Sequence, residues 1–101
     1  VNTLFNGLNN EAWFRDNPPK SLKSACAGGM ALQDAVAKRW KEVTGTPVIE
    51  GYGLTESSPV LTFNPLDAVK EGTIGVPVPS TDIKCVDDAG NEVPHGQPGE
   101  L

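Results

Sequence analysis

The chain is poor in the residues that mark several common functions. It has one histidine, His95, which sits between Pro94 and Gly96 and reads as an exposed turn residue. A Ser–His or Cys–His nucleophile is therefore not expected. It has two cysteines, Cys26 and Cys85, far apart and at no metal-site spacing. So few suggest a reducing cytoplasm rather than secretion, and Cys26 is expected to pack in the core. No apolar run approaches ~18 residues, so no span is expected, and no signal-peptide pattern is visible. Basic residues are in deficit: 8 Lys and Arg against 13 Asp and Glu, a formal net charge of −5. That argues against a basic patch for nucleic acid or an anionic membrane. It does not exclude a nucleotide, which backbone amides and a metal can hold. There is no internal repeat and no low-complexity tract.

The 101 residues suffice for one small domain with a thin core. Val1, Leu4, Phe5 and Leu8 fall at helical spacing, so residues 1–8 read as the end of an amphipathic helix. A second short helix carries Trp13 and Phe14, and Asn17-Pro18-Pro19 ends it. Leu22 to Ala27 fits a buried strand, closed by Gly28-Gly29. Leu32, Ala35, Val36, Trp40 and Val43 recur at mostly three- and four-residue steps, with charged residues between them. That predicts an amphipathic helix of about three to four turns, with Gly45 at its C-terminal cap. Val48-Ile49 follows as a strand. A strand–helix–strand unit over about 21–52 implies parallel strands and a right-handed crossover. Ser57 to Pro79 reads as mostly irregular, with a brief strand at Val60–Phe63. Thr81, Ile83 and Cys85 alternate with polar residues, which predicts an antiparallel hairpin over about 81–101. Asp87, Asp88, Asn91 and Glu92 lack the EF-hand spacing and read as a solvated turn. The expected fold class is α/β, with a subdomain change near residue 75 into an antiparallel β part. The start lacks a capping residue and Gly99-Glu100-Leu101 resembles the beginning of a strand, so a section of a larger protein is expected.

The densest chemistry lies in Glu50-Gly-Tyr-Gly-Leu-Thr-Glu-Ser-Ser-Pro59. Gly51 and Gly53 bracket Tyr52, and Thr55 and Glu56 follow. Glycine lets backbone approach a ligand closely. An aromatic ring can stack on a base, and a hydroxyl can donate to a phosphate oxygen. A carboxylate beside phosphates requires a cation, for which Mg²⁺ is the usual choice. The plain alternative is a tight turn with a half-buried aromatic. Gly51-Tyr-Gly53 is not a dinucleotide fingerprint, because the third glycine and the following helix are missing. The topology adds weight to a site. Gly28-Gly29 and Tyr52–Glu56 both leave the carboxyl ends of parallel strands, where open α/β sheets bind ligands.

Tyr52-Gly53-Leu54-Thr55-Glu56 resembles the core motif of the adenylate-forming enzymes, which include acyl-CoA synthetases, peptide-synthetase adenylation domains and firefly luciferases. Gly28-Gly29 resembles their upstream glycine pair. Gly72-Thr-Ile-Gly-Val-Pro-Val-Pro-Ser80, Asp88–Pro94 and Gly96–Leu101 resemble the stretch that follows. The wording is most similar to bacterial long-chain fatty-acid–CoA ligases. The resemblance implies two steps: a fatty carboxylate attacks the α-phosphate of ATP, and coenzyme A then displaces AMP. It implies that Tyr52 packs on adenine, Thr55 bonds a phosphate oxygen, and Glu56 holds Mg²⁺. Gly28, Gly29, Gly51 and Gly53 would let adenine and the acyl chain approach the backbone. Met30 stands where many relatives carry a smaller residue, which leaves the acyl pocket's shape open. The family's phosphate loop would precede Val1, and its ribose-binding aspartate and catalytic lysine would follow Leu101.

On that resemblance, residues 1–75 are expected to be part of an α/β AMP-binding subdomain and 76–101 part of an antiparallel β portion. The expected partners are a long-chain fatty acid, ATP and coenzyme A, with no nucleic acid. The expected location is cytoplasmic, with peripheral contact at the inner membrane face left open. Two alternatives compete: an adenylation domain that loads another acid onto a carrier protein, and a non-catalytic nucleotide- or protein-binding domain.

Overall fold

The computed structural model describes residues 2–101. Val1, the first apolar position of the expected opening helix, lies outside them. Helix α1 spans Asn2–Asn10 and α2 spans Ala12–Asp16. Strand β1 (Ala25–Ala27) leads to helix α3 (Asp34–Thr44), which returns to strand β2 (Val48–Tyr52). A single 3₁₀ turn, Thr55–Ser57, follows. Two short strands, β3 (Thr62–Phe63) and β4 (Val76–Pro77), complete a four-stranded sheet of order β1-β2-β3-β4.

Helix α3 has the amphipathic form its spacing predicts, except that Ala35 is exposed and Leu32 lies before the helix start. Val36 and Trp40, four residues apart, are buried, and most of the polar positions between them are exposed. Gly45 ends it in the left-handed region at φ 73°, donating its N–H to the Lys41 carbonyl at 2.8 Å. Asp34 in the first turn and Lys41 in the last both suit the helix dipole. The helix connects two parallel strands, with Ala25 opposite Val48 and Ala27 opposite Glu50.

The core lies between the helices and one face of the sheet. Phe5, Phe14, Leu32, Val36 and Trp40 meet Ala25, Ala27 and Val48 there. The alanines are small enough for aromatic rings to lie against the strand. Phe5 meets Trp40 edge-on at 4.8 Å, and Phe14 lies 5.3 Å from the same ring. Such pairs contribute about 0.5–1.5 kcal/mol beyond area burial. Asn9, also buried, donates to the Val36 carbonyl at 3.3 Å and joins α1 to α3.

Three expectations need correction. Cys26 is exposed, because side chains alternate along β1 and the core takes Ala25 and Ala27 instead. Strand β1 is shorter than 22–27, since Leu22 is drawn into a turn by its N–H bond to the Pro19 carbonyl. Strand β4 lies in a stretch read as irregular. Its Pro77 has no N–H to give, which suits the last strand of this sheet.

The region 81–101 keeps the antiparallel sense without regular strands. Val86 bridges both Glu92 and Glu100, with a pair of 2.8 Å bonds between Val86 and Glu100. Pro94 and Pro98 interrupt the supply of donors that a longer ladder would need. Asp87 forms the expected turn. Its carboxylate accepts from the N–H groups of Ala89 and Asn91, both at 2.9 Å. The Asn91 backbone bond is the main reason its pKa lies below the ordinary value. Among the described residues no helix is long and apolar enough to cross a membrane.

Candidate nucleotide and acyl site

Because β1 and β2 run parallel, their carboxyl ends open on the same edge of the sheet. A cleft of about 600 Å³ lies at that edge. Its walls come from three segments: Gly29 to Leu32 after β1, Glu50 to Leu54 at the end of β2, and Gly72 to Ile74 before β4. Tyr52, the last residue of β2, is half-buried in the middle wall, and its carbonyl accepts from Leu61 N–H at 2.8 Å. Met30 lines the same cleft and is exposed.

The glycines divide into two groups. Gly29 has φ 83°, lines the cleft, and has open space where a Cβ would stand. Its backbone therefore stands open to the cleft. Gly51 and Gly53 also line the cleft, yet each is crowded by the protein itself. A Cβ on Gly51 would lie 2.8 Å from the Thr62 carbonyl oxygen, and one on Gly53 would collide with the Pro59 carbonyl. Gly28 is not part of the lining, and a Cβ there would make an ordinary 3.5 Å contact with the Gly51 carbonyl oxygen.

Thr55 and Glu56 sit on the 3₁₀ turn that leaves the cleft, both exposed, and neither forms part of its lining. Ser57 closes that turn: its hydroxyl accepts from Leu54 N–H at 3.0 Å and donates to the Leu54 carbonyl at 2.8 Å. Both ion pairs found among the described residues, Arg39–Glu42 and Lys41–Glu71, leave Glu56 out. Its carboxylate has no ion-pair partner among the described residues. No cluster of three metal-ligating side chains occurs among the described residues. One carboxylate suits Mg²⁺ when substrate phosphates and water supply the other oxygens.

Two residues that build the cleft were given no role in the sequence reading. Glu50 lines it, and its carboxylate accepts from Leu32 N–H at 3.0 Å. An ionisable residue at the end of an apolar strand was a usable signal. Asn64 is 2% exposed and donates to the carbonyls of Glu50 and Thr73 at 3.1 and 2.6 Å. An asparagine before proline looks like an ordinary turn residue, and nothing local marks this one as buried.

Comparison with known proteins agrees with this geometry. The family model described as AMP-binding enzyme matches residues 1–101. A long-chain-fatty-acid–CoA ligase of Escherichia coli O6:H1 is 53% identical over 102 residues, covering 100% of this chain and 18% of the relative. The ligase of the same name from Haemophilus influenzae is 52% identical with the same coverage. Among solved structures, the anthranilate CoA ligase AuaEII in complex with anthranoyl-AMP superposes with a TM-score of 0.86 at 32% identity, covering 96% of this chain and 19% of that one. The chain therefore spans about a fifth of the length of the relatives it matches. By the match over its whole length and by the glycine-flanked cleft at its parallel strand ends, this chain belongs to the AMP-binding enzyme family.

Proposed function

We propose that these residues form part of a long-chain fatty-acid–CoA ligase. A fatty carboxylate attacks the α-phosphorus of ATP, which gives acyl-AMP and releases pyrophosphate. The thiol of coenzyme A then attacks the acyl carbon and AMP leaves. The observation that carries this reading is that Tyr52 and Gly29 line one cleft, in a chain 53% identical throughout to a ligase of that name.

In this reading Tyr52 stacks on adenine, in the cleft that the open backbone at Gly29 also lines. Thr55 donates to a phosphate oxygen from the turn at the cleft's exit. Glu56 holds Mg²⁺. The ion would supply positive charge against the phosphate oxygens as the carboxylate approaches. Gly28, Gly51 and Gly53 shape the wall, and Met30 borders the acyl side. The subdomain change near residue 75 remains part of the proposal. So does a cytoplasmic location, with peripheral contact at the inner membrane face.

The test is a pyrophosphate-release assay on the full-length polypeptide that carries these residues, run with acids from acetate to palmitate and with aryl acids. Turnover should be greatest with long-chain acids and should yield acyl-CoA only when coenzyme A is present. Preference for aryl or amino acids would reject the substrate class. Pyrophosphate release with no product on coenzyme A would favour transfer to a carrier protein.

A further inference from the structure

We propose that Glu50 is a positioning residue that fixes two walls of the cleft at once. It does so with two different parts of itself. Its carboxylate accepts the Leu32 N–H at 3.0 Å and thereby holds the Gly29–Leu32 turn. Its main-chain carbonyl accepts from Asn64 twice, from the backbone N–H at 3.2 Å and from the side-chain amide at 3.1 Å. Asn64 carries the tether onward. It donates to the Thr73 carbonyl, and its own oxygen accepts from Lys70 N–H at 3.0 Å. The Gly72–Ile74 wall thus hangs from the same residue as the Gly29–Leu32 wall.

The chemistry explains why a carboxylate stands there. Helix α3 begins at Asp34, so the Leu32 N–H lies before it and has no intrahelical partner. Leu32 is itself buried, and a buried donor without an acceptor is costly. A charged acceptor makes this bond stronger than a neutral one would. Asn2 ties the same segment from the other side, accepting from Gln33 N–H and donating to the Ala31 carbonyl, both at 2.9 Å. Removing the Glu50 side chain therefore loosens the cleft wall while a second tether keeps the segment attached. Tyr52 lies two residues beyond Glu50 on β2, so the clamp also sets the spacing between Tyr52 and the Gly29 backbone that faces the cleft.

The inference rests on the ligase reading above, and its test separates the two. In the full-length enzyme, Glu50→Ala should raise KM for ATP and for the fatty acid about tenfold or more, the scale on which small misplacements act in enzyme sites. Glu50→Gln keeps an oxygen in the same place and should stay within about threefold of the parent, since only the charge assistance is lost. Glu50→Ala with unchanged KM and only a lower Tm would mean a purely structural role and would overturn the proposal. So would Glu50→Gln as damaging as Glu50→Ala. If the parent enzyme activates no carboxylic acid, the ligase reading fails by itself. The clamp is then read from amide exchange at Leu32. Faster exchange in Glu50→Ala, restored in Glu50→Gln, supports it, and equal rates in all three proteins overturn it.

Discussion

Gly53 and Pro59 touch through their backbones, so closely that a Cβ on Gly53 would fall on the Pro59 carbonyl. The glycine that reads as an opening for ligand is first of all an opening for the chain's own return. In the full-length enzyme, Gly53→Ala should therefore destabilise by about 1–3 kcal/mol, the usual range for overpacking. Gly28→Ala, whose Cβ would make an ordinary 3.5 Å contact, should shift stability by no more than about 0.5 kcal/mol. Thermal melts of both variants check this. A Gly53→Ala enzyme that melts like its parent and loses only ATP affinity would return Gly53 to a ligand role.

Tyr52→Ala should weaken ATP binding more than it slows chemistry. Base–aromatic stacking is worth roughly 1–3 kcal/mol by substitution in nucleic-acid binders, which transfers to about five- to 150-fold in affinity. Steady-state KM for ATP beside single-turnover adenylation measures the split. An unchanged KM would remove the stack.

Glu56→Gln should cut acyl-adenylate formation by about 10²–10³, the loss typical of removing one preorganised electrostatic group. Its exposure and its absence from the ion pairs of the described residues imply a nearly constant Tm. The measurement is pyrophosphate release titrated with Mg²⁺ beside a thermal melt. Normal metal dependence with a lowered Tm would take Glu56 out of the site.

The Asp87 turn should respond to acid. Hydrogen bonds from Asn91 above all, and from Ala89 and Gly90, hold its carboxyl below the ordinary value. A depressed folded-state pKa contributes order that is full above the unfolded value and is lost as pH falls through the folded one. Amide exchange at Ala89 and Asn91 should therefore stay protected at neutral pH and open only in acid below the usual carboxylate range. Asp87→Ala should abolish that acid transition. The same pH profile in Asp87→Ala would show that another group controls the turn.

The parallel unit was legible because α3 advertises itself. Its apolar residues recur at helical spacing, Gly45 stops it, and a helix between two apolar strands permits little besides a parallel crossover. The cleft's position followed from that topology. The later chain was legible only in part. Thr81, Ile83 and Cys85 are indeed half-buried, with Asp82 and Lys84 exposed, yet alternation along one segment cannot supply a partner strand. Strand β4 was hidden by Pro77 within it and Pro79 just after it. The roles of Glu50 and Asn64 depend on bonds to residues 6 to 18 positions away, and periodicity carries no record of such bonds.

The sheet's spatial order, β1-β2-β3-β4, repeats the order in which the strands leave the ribosome. Each described strand after β1 therefore meets an edge that has already been synthesised, and no gap among these four must be kept for a later arrival. Synthesis proceeds from the N-terminus, and completed parts can begin to fold first. A nascent chain that has just released Tyr52 already holds both parallel strands and the helix between them. The rest of this sheet can be laid on as a growing edge, one short strand at a time.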